Sequence, residues 1–331
     1  MRYVELAGAG LRCSALGFGC ANLMGRVSRR QSLRALAAAF DRGVTVFDTA
    51  RSYGWGESEV VVGQFARGKR DRVVILTKFG ILPPPRNRLR QALKPLARGV
   101  LNLASRFRLK SVTAAVRGQI RQQVSSQVRH GRFDVSTARA SLDTSLRALG
   151  TDFVDVLFLH SPHYDQVADG QVMGFLESAV RAGKVRALGV SSDAQNVNRI
   201  VETFPAVRVV QIENNLLNPQ IDGLRATERA GVLTNAPFGG QALFVRLAEV
   251  VGAAPAEAAR WAERTGLAVN SAEGIGQLLL SYAFAANPAG VVLCGMHQPD
   301  HVARNVALAT APPRTDADFR EVVEEIRRAA V

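Results

Sequence analysis

Short apolar runs, most of them rich in β-branched residues, alternate along the chain with longer stretches whose apolar positions recur every three or four residues. Eight runs read as strands: ALGFG at 15–19, VTVFDTA at 44–50, VVILTKF at 73–79, FVDVLFLH at 153–160, VRALGVSS at 185–192, VRVVQIE at 207–213, GVLTNAPF at 231–238 and GVVLCGM at 290–296. They are nearly continuous in apolar character, as parallel strands covered by helices must be. Between them lie amphipathic patterns. SRRQSLRALAAAFDRG starts at Ser28 as a helix N-cap and stops at Gly43, and STARASLDTSLRALG runs in the same way from Ser136 to Gly150. Eight strand–helix units favour a closed (β/α)8 TIM barrel over an open doubly wound sheet, with 1–331 as a single domain. The preceding RYVELAGAGLRCS reads as an N-terminal β-hairpin with a glycine-containing turn, placed to plug the barrel floor.

Two segments interrupt the alternation. One, 239–273, follows the seventh barrel strand and contains Trp261; the other, 82–133, follows the third. Insertions after strands lie on the C-terminal face of such a barrel, where sites are built. The charge pattern sharpens this. The formal net charge is +14, a value that suggests nucleic acid, but 82–133 holds twelve Lys/Arg and no Asp or Glu, leaving only +2 for the rest. Within the insertion Leu89, Leu93, Leu96, Val100 and Leu103 line up as one apolar face beside arginines, with Pro95 starting or kinking the helix. A surface excursion packed on the barrel, a lid favouring a bulky lipophilic or anionic substrate, and attachment to an anionic membrane surface all fit this segment. Nucleic acid does not, because only Phe107 and Phe133 offer stacking faces. No apolar run is long enough to span a bilayer and no secretory leader pattern opens the chain, so a cytoplasmic location is expected. Cys13, Cys20 and Cys294 form neither a disulfide framework nor a metal-ligand pair; no metal is expected, and Cys13 and Cys20 read as small buried residues.

A parallel strand should be apolar except where it ends at the working face. Asp48 ends the second barrel run, Lys78 falls near the end of the third, His160 closes the fourth, and Tyr53 lies five residues past Asp48 in RSYGWGESE. Three consecutive units thus deliver one ionisable group each to the same mouth, beside a tyrosine. These types belong together chemically. A tyrosine at its ordinary pKa of about 10 is a poor proton donor at neutral pH. A neighbouring ammonium is expected to lower that pKa, and the buried ammonium needs a carboxylate partner. The histidine can hydrogen-bond a substrate oxygen as charge develops on it.

These residues sit in motifs that resemble the aldo-keto reductase family: FDTARSYGWGESE at 47–59, ILTKFG at 75–80, DFVDVLFLHSP at 152–162, GKVRALGVSS at 183–192, VQIENNLLN at 210–218 and ANPAGVVLCG at 286–295. The resemblance runs nearly end to end, apart from the basic insertion. It implies an NAD(P)H-dependent oxidoreductase that reduces an aldehyde or ketone, with Tyr53 as general acid, Lys78 and Asp48 tuning it, and His160 positioning the carbonyl. It also implies NADPH, with NADH admitted, lying across the barrel mouth without a Rossmann domain, and the chain carries no glycine-rich dinucleotide fingerprint after its first barrel strand. Ser191 and Gln211 fall where the family holds the nicotinamide carboxamide. Ser192 stands where Asn is usual, and Asn235 where an aromatic usually stacks on the ring. CGMHQPDHVARN resembles the adenosine-phosphate loop and helix start: Gly295, Met296, His297, His301, Arg304 and Asn305 fall there. Asn305 matches the adenine contact, Met296 and His297 replace the usual phosphate grip, and Arg304 replaces an acidic residue. These departures keep two further readings open: a redox-neutral isomerase, lyase or cyclase using the same acid–base set, and a non-catalytic cofactor-binding subunit.

Overall fold

The computed structural model describes residues 1–25, 27–83, 131–225 and 229–330. The expectations for the amphipathic stretch around Leu89 to Leu103 therefore lie outside the described residues, as does most of 82–133.

The chain opens with an antiparallel hairpin, β1 (Tyr3–Leu6) and β2 (Leu11–Ser14), with Leu6 opposite Leu11 across the turn. The barrel strands follow in chain order: β3 (Leu16–Gly19), β4 (Val46–Asp48), β5 (Val74–Phe79), β6 (Val154–His160), β7 (Val185–Ser191), β8 (Val207–Glu213), β9 (Gly231–Asn235) and β10 (Val291–Cys294). Each pairs in parallel with its sequence neighbour, and β10 closes the ring against β3. The eight sequence runs and the eight barrel strands coincide, with ends trimmed by a few residues. Alternation within each strand divides the core in two. Val46, Val74, Leu76, Val156, Phe158, Val209 and Leu293 point into the barrel and pack with Leu6, Leu11 and Cys13 of the hairpin, which fills the floor. Phe47, Ile75, Leu157, Leu159 and Val210 point outward and are covered by helices.

The helices take their limits from local chemistry. In α1 (Arg29–Phe40) the Ser28 hydroxyl accepts from the Gln31 amide while Gln31 reaches back to the Ser28 amide, a reciprocal cap. The helix α2 (Ser58–Ala66) follows β4, and α3 (Val135–Leu149) follows the insertion. Here the start differs from the sequence expectation: Asp134, not Ser136, is the cap, its Oδ1 accepting from the Thr137 amide at 2.8 Å. A carboxylate outcompetes a hydroxyl for that position because the helix N-terminus favours negative charge. Gly150, at φ +65°, ends α3 as expected. Then come α4 (Gln171–Arg181), α5 (Ala194–Thr203), α6 (Gly240–Ala253), α7 (Pro255–Thr265), α8 (Ala272–Ala286), α9 (Pro299–Thr310) and α10 (Ala317–Ala330). The irregular stretch 239–273 thus holds two helices. They form a third core cluster with α8 and α10 in which Trp261 is buried and donates its indole N–H to Glu325 at 2.7 Å. No helix among the described residues is long and apolar enough to cross a membrane.

Candidate active site

The barrel register brings the polar strand ends to one level. His160 pairs with Ser191 across β6 and β7, and Ser191 with Gln211 across β7 and β8. Asp48 ends β4, and Lys78 is the penultimate residue of β5. The Lys78 ammonium is hydrogen-bonded to Asp48 Oδ1 and donates to the Thr49 carbonyl at 3.1 Å, with both charged side chains buried. The same ammonium lies 5.0 Å from the centre of the Tyr53 ring, and the Tyr53 and His160 rings meet edge to face at 5.8 Å. All four expected catalytic side chains therefore converge.

Electrostatics follow from the burial. Desolvation pushes Lys78 down, but the Asp48 carboxylate and the Tyr53 phenol outweigh it, and the ammonium sits above the usual lysine range. Asp48 is pushed up by burial, and the Lys78 charge offsets only part of that. Tyr53 differs from the sequence expectation. Burial raises its phenol above 10, and Lys78 pulls down less than burial pushes up. Tyr53 is thus a protonated phenol at neutral pH, with the Lys78 ammonium beside it. Burial and the Lys78 charge hold His160 down at about 3. The imidazole is neutral, and its Nδ1 is buried with no partner among the described residues.

The loop carrying Tyr53 is clamped from beneath. Glu59, fully buried, accepts from Thr77 at 2.7 Å and pairs with Arg51 at 2.9 Å, while the Thr49 and Ser58 hydroxyls meet at 2.9 Å. Sequence reading gave Glu59 no role, because an acid in the first turn of a helix ordinarily faces water. The non-glycine residues with positive φ among the described residues, Met24, Trp55, Ser161 and Ala236, all lie in loops that follow barrel strands at the mouth, a strain that collects around working sites.

Eight of the ten residues expected to hold a nucleotide divide between two cavities. One of about 360 Å³ is lined by Tyr53, His160, Ser191, Ser192, Gln211 and Asn235, together with His163, Asp193, Glu213 and Gln220, which sequence reading did not single out. Neither amide atom of the buried Gln211 makes a hydrogen bond. Its group lies near enough to Asp48 to favour the carboxylate, but not in bonding geometry. One unsatisfied donor and one unsatisfied acceptor in the cavity fit a ligand carboxamide. The other cavity, about 410 Å³, is lined by Gly295, His301, Arg304 and Asn305 facing Phe238, Phe244 and Glu273. Arg304 pairs with Glu273 at 3.1 Å, and Asn305 donates to the Cys294 sulfur at 3.3 Å. Met296 does not join them: it is fully buried in the outer core, and its side chain lines neither cavity. His297 is partly buried and lines neither cavity. No cluster of His, Cys, Asp and Glu fit for a metal ion occurs among the described residues. The three cysteines are free and buried, with Cys13 and Cys294 pushed up to about 12 by burial and Cys20 well above its ordinary value.

A barrel of this topology with these four groups at its mouth defines a class. The Aldo/keto reductase family model matches residues 15–327, and the chain belongs to that family. Among curated relatives, it is 29% identical over 231 residues to aldo-keto reductase YhdN of Bacillus subtilis, covering 67% of this chain and 56% of the relative. It is 33% identical over 192 residues to D-threo-aldose 1-dehydrogenase of a Pseudomonas species, covering 56% of this chain and 52% of the relative. The matched span is thus about half the length of these relatives. Among solved structures, an aldo-keto reductase from Klebsiella pneumoniae in complex with NADPH superposes with a TM-score of 0.67 at 21% identity, covering 99% of this chain and 96% of that one, a likeness of fold.

Proposed function

We propose that the protein is an oxidoreductase that reduces an aldehyde or ketone to the alcohol, with NADPH as hydride donor and NADH also admitted. Family membership supports the reaction class. The observation that carries the assignment to this chain is the convergence of the buried Lys78–Asp48 pair and neutral His160 on Tyr53, which together with His160 lines one cavity. A reduced nicotinamide, when bound, supplies the hydride. Ser191 and the unsatisfied Gln211 amide hold its carboxamide, and Asn235 lines the same wall. His160, neutral, donates a hydrogen bond to the substrate carbonyl and orients it. Tyr53 gives its phenolic proton to the oxygen as the carbon accepts the hydride. Lys78 then balances the phenolate, and Asp48 keeps Lys78 charged and in place. Gly295, His301, Arg304 and Asn305 hold the adenosine end.

The substrate is a small molecule. The expectation of a bulky lipophilic or anionic substrate rested on 82–133, of which 84–130 lie outside the described residues, as does any membrane-surface contact through it. We take 1–331 as one domain acting in the cytoplasm.

The test is consumption of NADPH with a panel of aldehydes and ketones. Tyr53→Phe is expected to lower kcat by about 10²–10⁴-fold while nucleotide binding persists. Full rate in that variant would remove Tyr53 from its role, and turnover without any nucleotide would point to a redox-neutral reaction instead.

A further inference from the structure

The cavity around Arg304 contains a feature that the family resemblance does not supply. Among the described residues lining it, Arg304 is the permanent cation, and it is not free: its Nη1 lies 3.1 Å from Glu273 Oε2, with both side chains about half exposed. Glu273 sits in the first turn of α8, facing α9 across the cavity. At the start of α9, Gln298 makes no side-chain cap and Pro299 takes the first position. Phe238 and Phe244, tilted with centroids 6.1 Å apart, supply flat apolar wall. Phe238 comes three residues after Asn235, which ends β9 and lines the cavity of Tyr53, so both cavities take a wall residue from the end of β9 or the loop that follows it.

We propose that Glu273 is a specificity-determining residue: by holding Arg304 it keeps the adenosine cavity from favouring a ribose 2′-phosphate over a free 2′-hydroxyl. The inference rests on the nucleotide reading above and deepens it. A 2′-phosphate brings about −1.5 to −2 charges. To reach Arg304 it must displace a carboxylate that stays nearby and repels it. A 2′-hydroxyl has no such conflict and can donate to the Glu273 carboxylate as it stands. The wild-type cavity therefore separates NADPH from NADH only weakly, and the lost preference is recoverable by a change of charge with no change of shape.

Adenosine 2′,5′-bisphosphate and adenosine 5′-monophosphate differ only in the 2′-phosphate and need no nicotinamide site. Isothermal titration of the full chain with each is expected to give affinities within about fivefold of one another. In Glu273→Gln, the bisphosphate is expected to tighten by about fivefold or more while the monophosphate stays within about twofold. Adding Arg304→Leu to that variant removes the gain. The inference is overturned if Glu273→Gln moves both ligands alike or moves neither, if the gain survives loss of Arg304, or if neither ligand saturates the wild type or the variant. The carbonyl-reduction reading is judged separately, by NADPH consumption and the Tyr53→Phe variant, so either can fail while the other stands.

Discussion

At the scale of single residues, burial decides more than pairing. The sequence places an ammonium beside a tyrosine and so points to a lowered phenol pKa; the enclosed site raises it. That desolvation depends on which groups the fold packs around Tyr53, and no spacing of residues along the chain expresses that. The same limit hides Glu59, whose partners Arg51 and Thr77 come from the loop after β4 and from β5, and Asp155, a fully buried acid held by Arg70 at 2.8 Å and Arg186 at 2.9 Å. In both cases the acid looks solvated in sequence because its compensation is distant. His160 carries a testable consequence. Folded, it takes a proton only near pH 3; unfolded, near 6.5. Between those values the unfolded chain binds more protons, so the stability from a neutral His160 is present above about 6.5 and is lost as pH falls toward 3. That loss is on the order of a few kcal/mol. Urea unfolding at pH 7 and 4.5 should show a steeper acid loss for the wild type than for His160→Gln, and equal losses would contradict the assignment.

At the scale of elements, helix and strand existence was legible because each run keeps its own period, and ends were less so because competing caps lie two residues apart. Ser136 and Asp134 both fit the start of α3, and only the hydrogen bond to Thr137 separates them. Helix contacts were not legible at all. Gly63, in the middle of α2, reads as a weak helix residue, yet a Cβ there would collide with the Leu149 backbone at the end of α3. Glycine is what lets the two helices touch, and in helical backbone it costs only ~1 kcal/mol against alanine. Gly63→Ala should therefore destabilise by about 1–3 kcal/mol despite its better helix propensity. A thermal melt showing a stabilised variant would mean that the helices part freely.

At the scale of the molecule, the barrel has a structural end and a chemical end. The hairpin stoppers the floor with Leu6, Leu11 and Cys13, while the ionisable strand ends face the mouth. This division was readable in sequence, since polar residues accumulate where strands finish and the hairpin precedes the first of them. Leu11→Ala is expected to cost about 2–5 kcal/mol in denaturant unfolding and leave kcat for any reduced carbonyl within about twofold. A large kcat loss in that variant at temperatures where it stays folded would show the two ends to be coupled. The depth of the Lys78–Asp48 pair has a further consequence. Its side chains are 1% and 5% exposed, so dissolved ions cannot crowd around it, whereas the Arg304–Glu273 pair at the rim stands 43% and 55% in solvent. With a screening length of about 8–10 Å in ordinary buffer, raising ionic strength is expected, on the proposed reading, to weaken capture of a charged nucleotide at the rim and to leave the buried Lys78–Asp48 pair undisturbed. Salt concentration thus becomes a dial that turns one half of the site without touching the other.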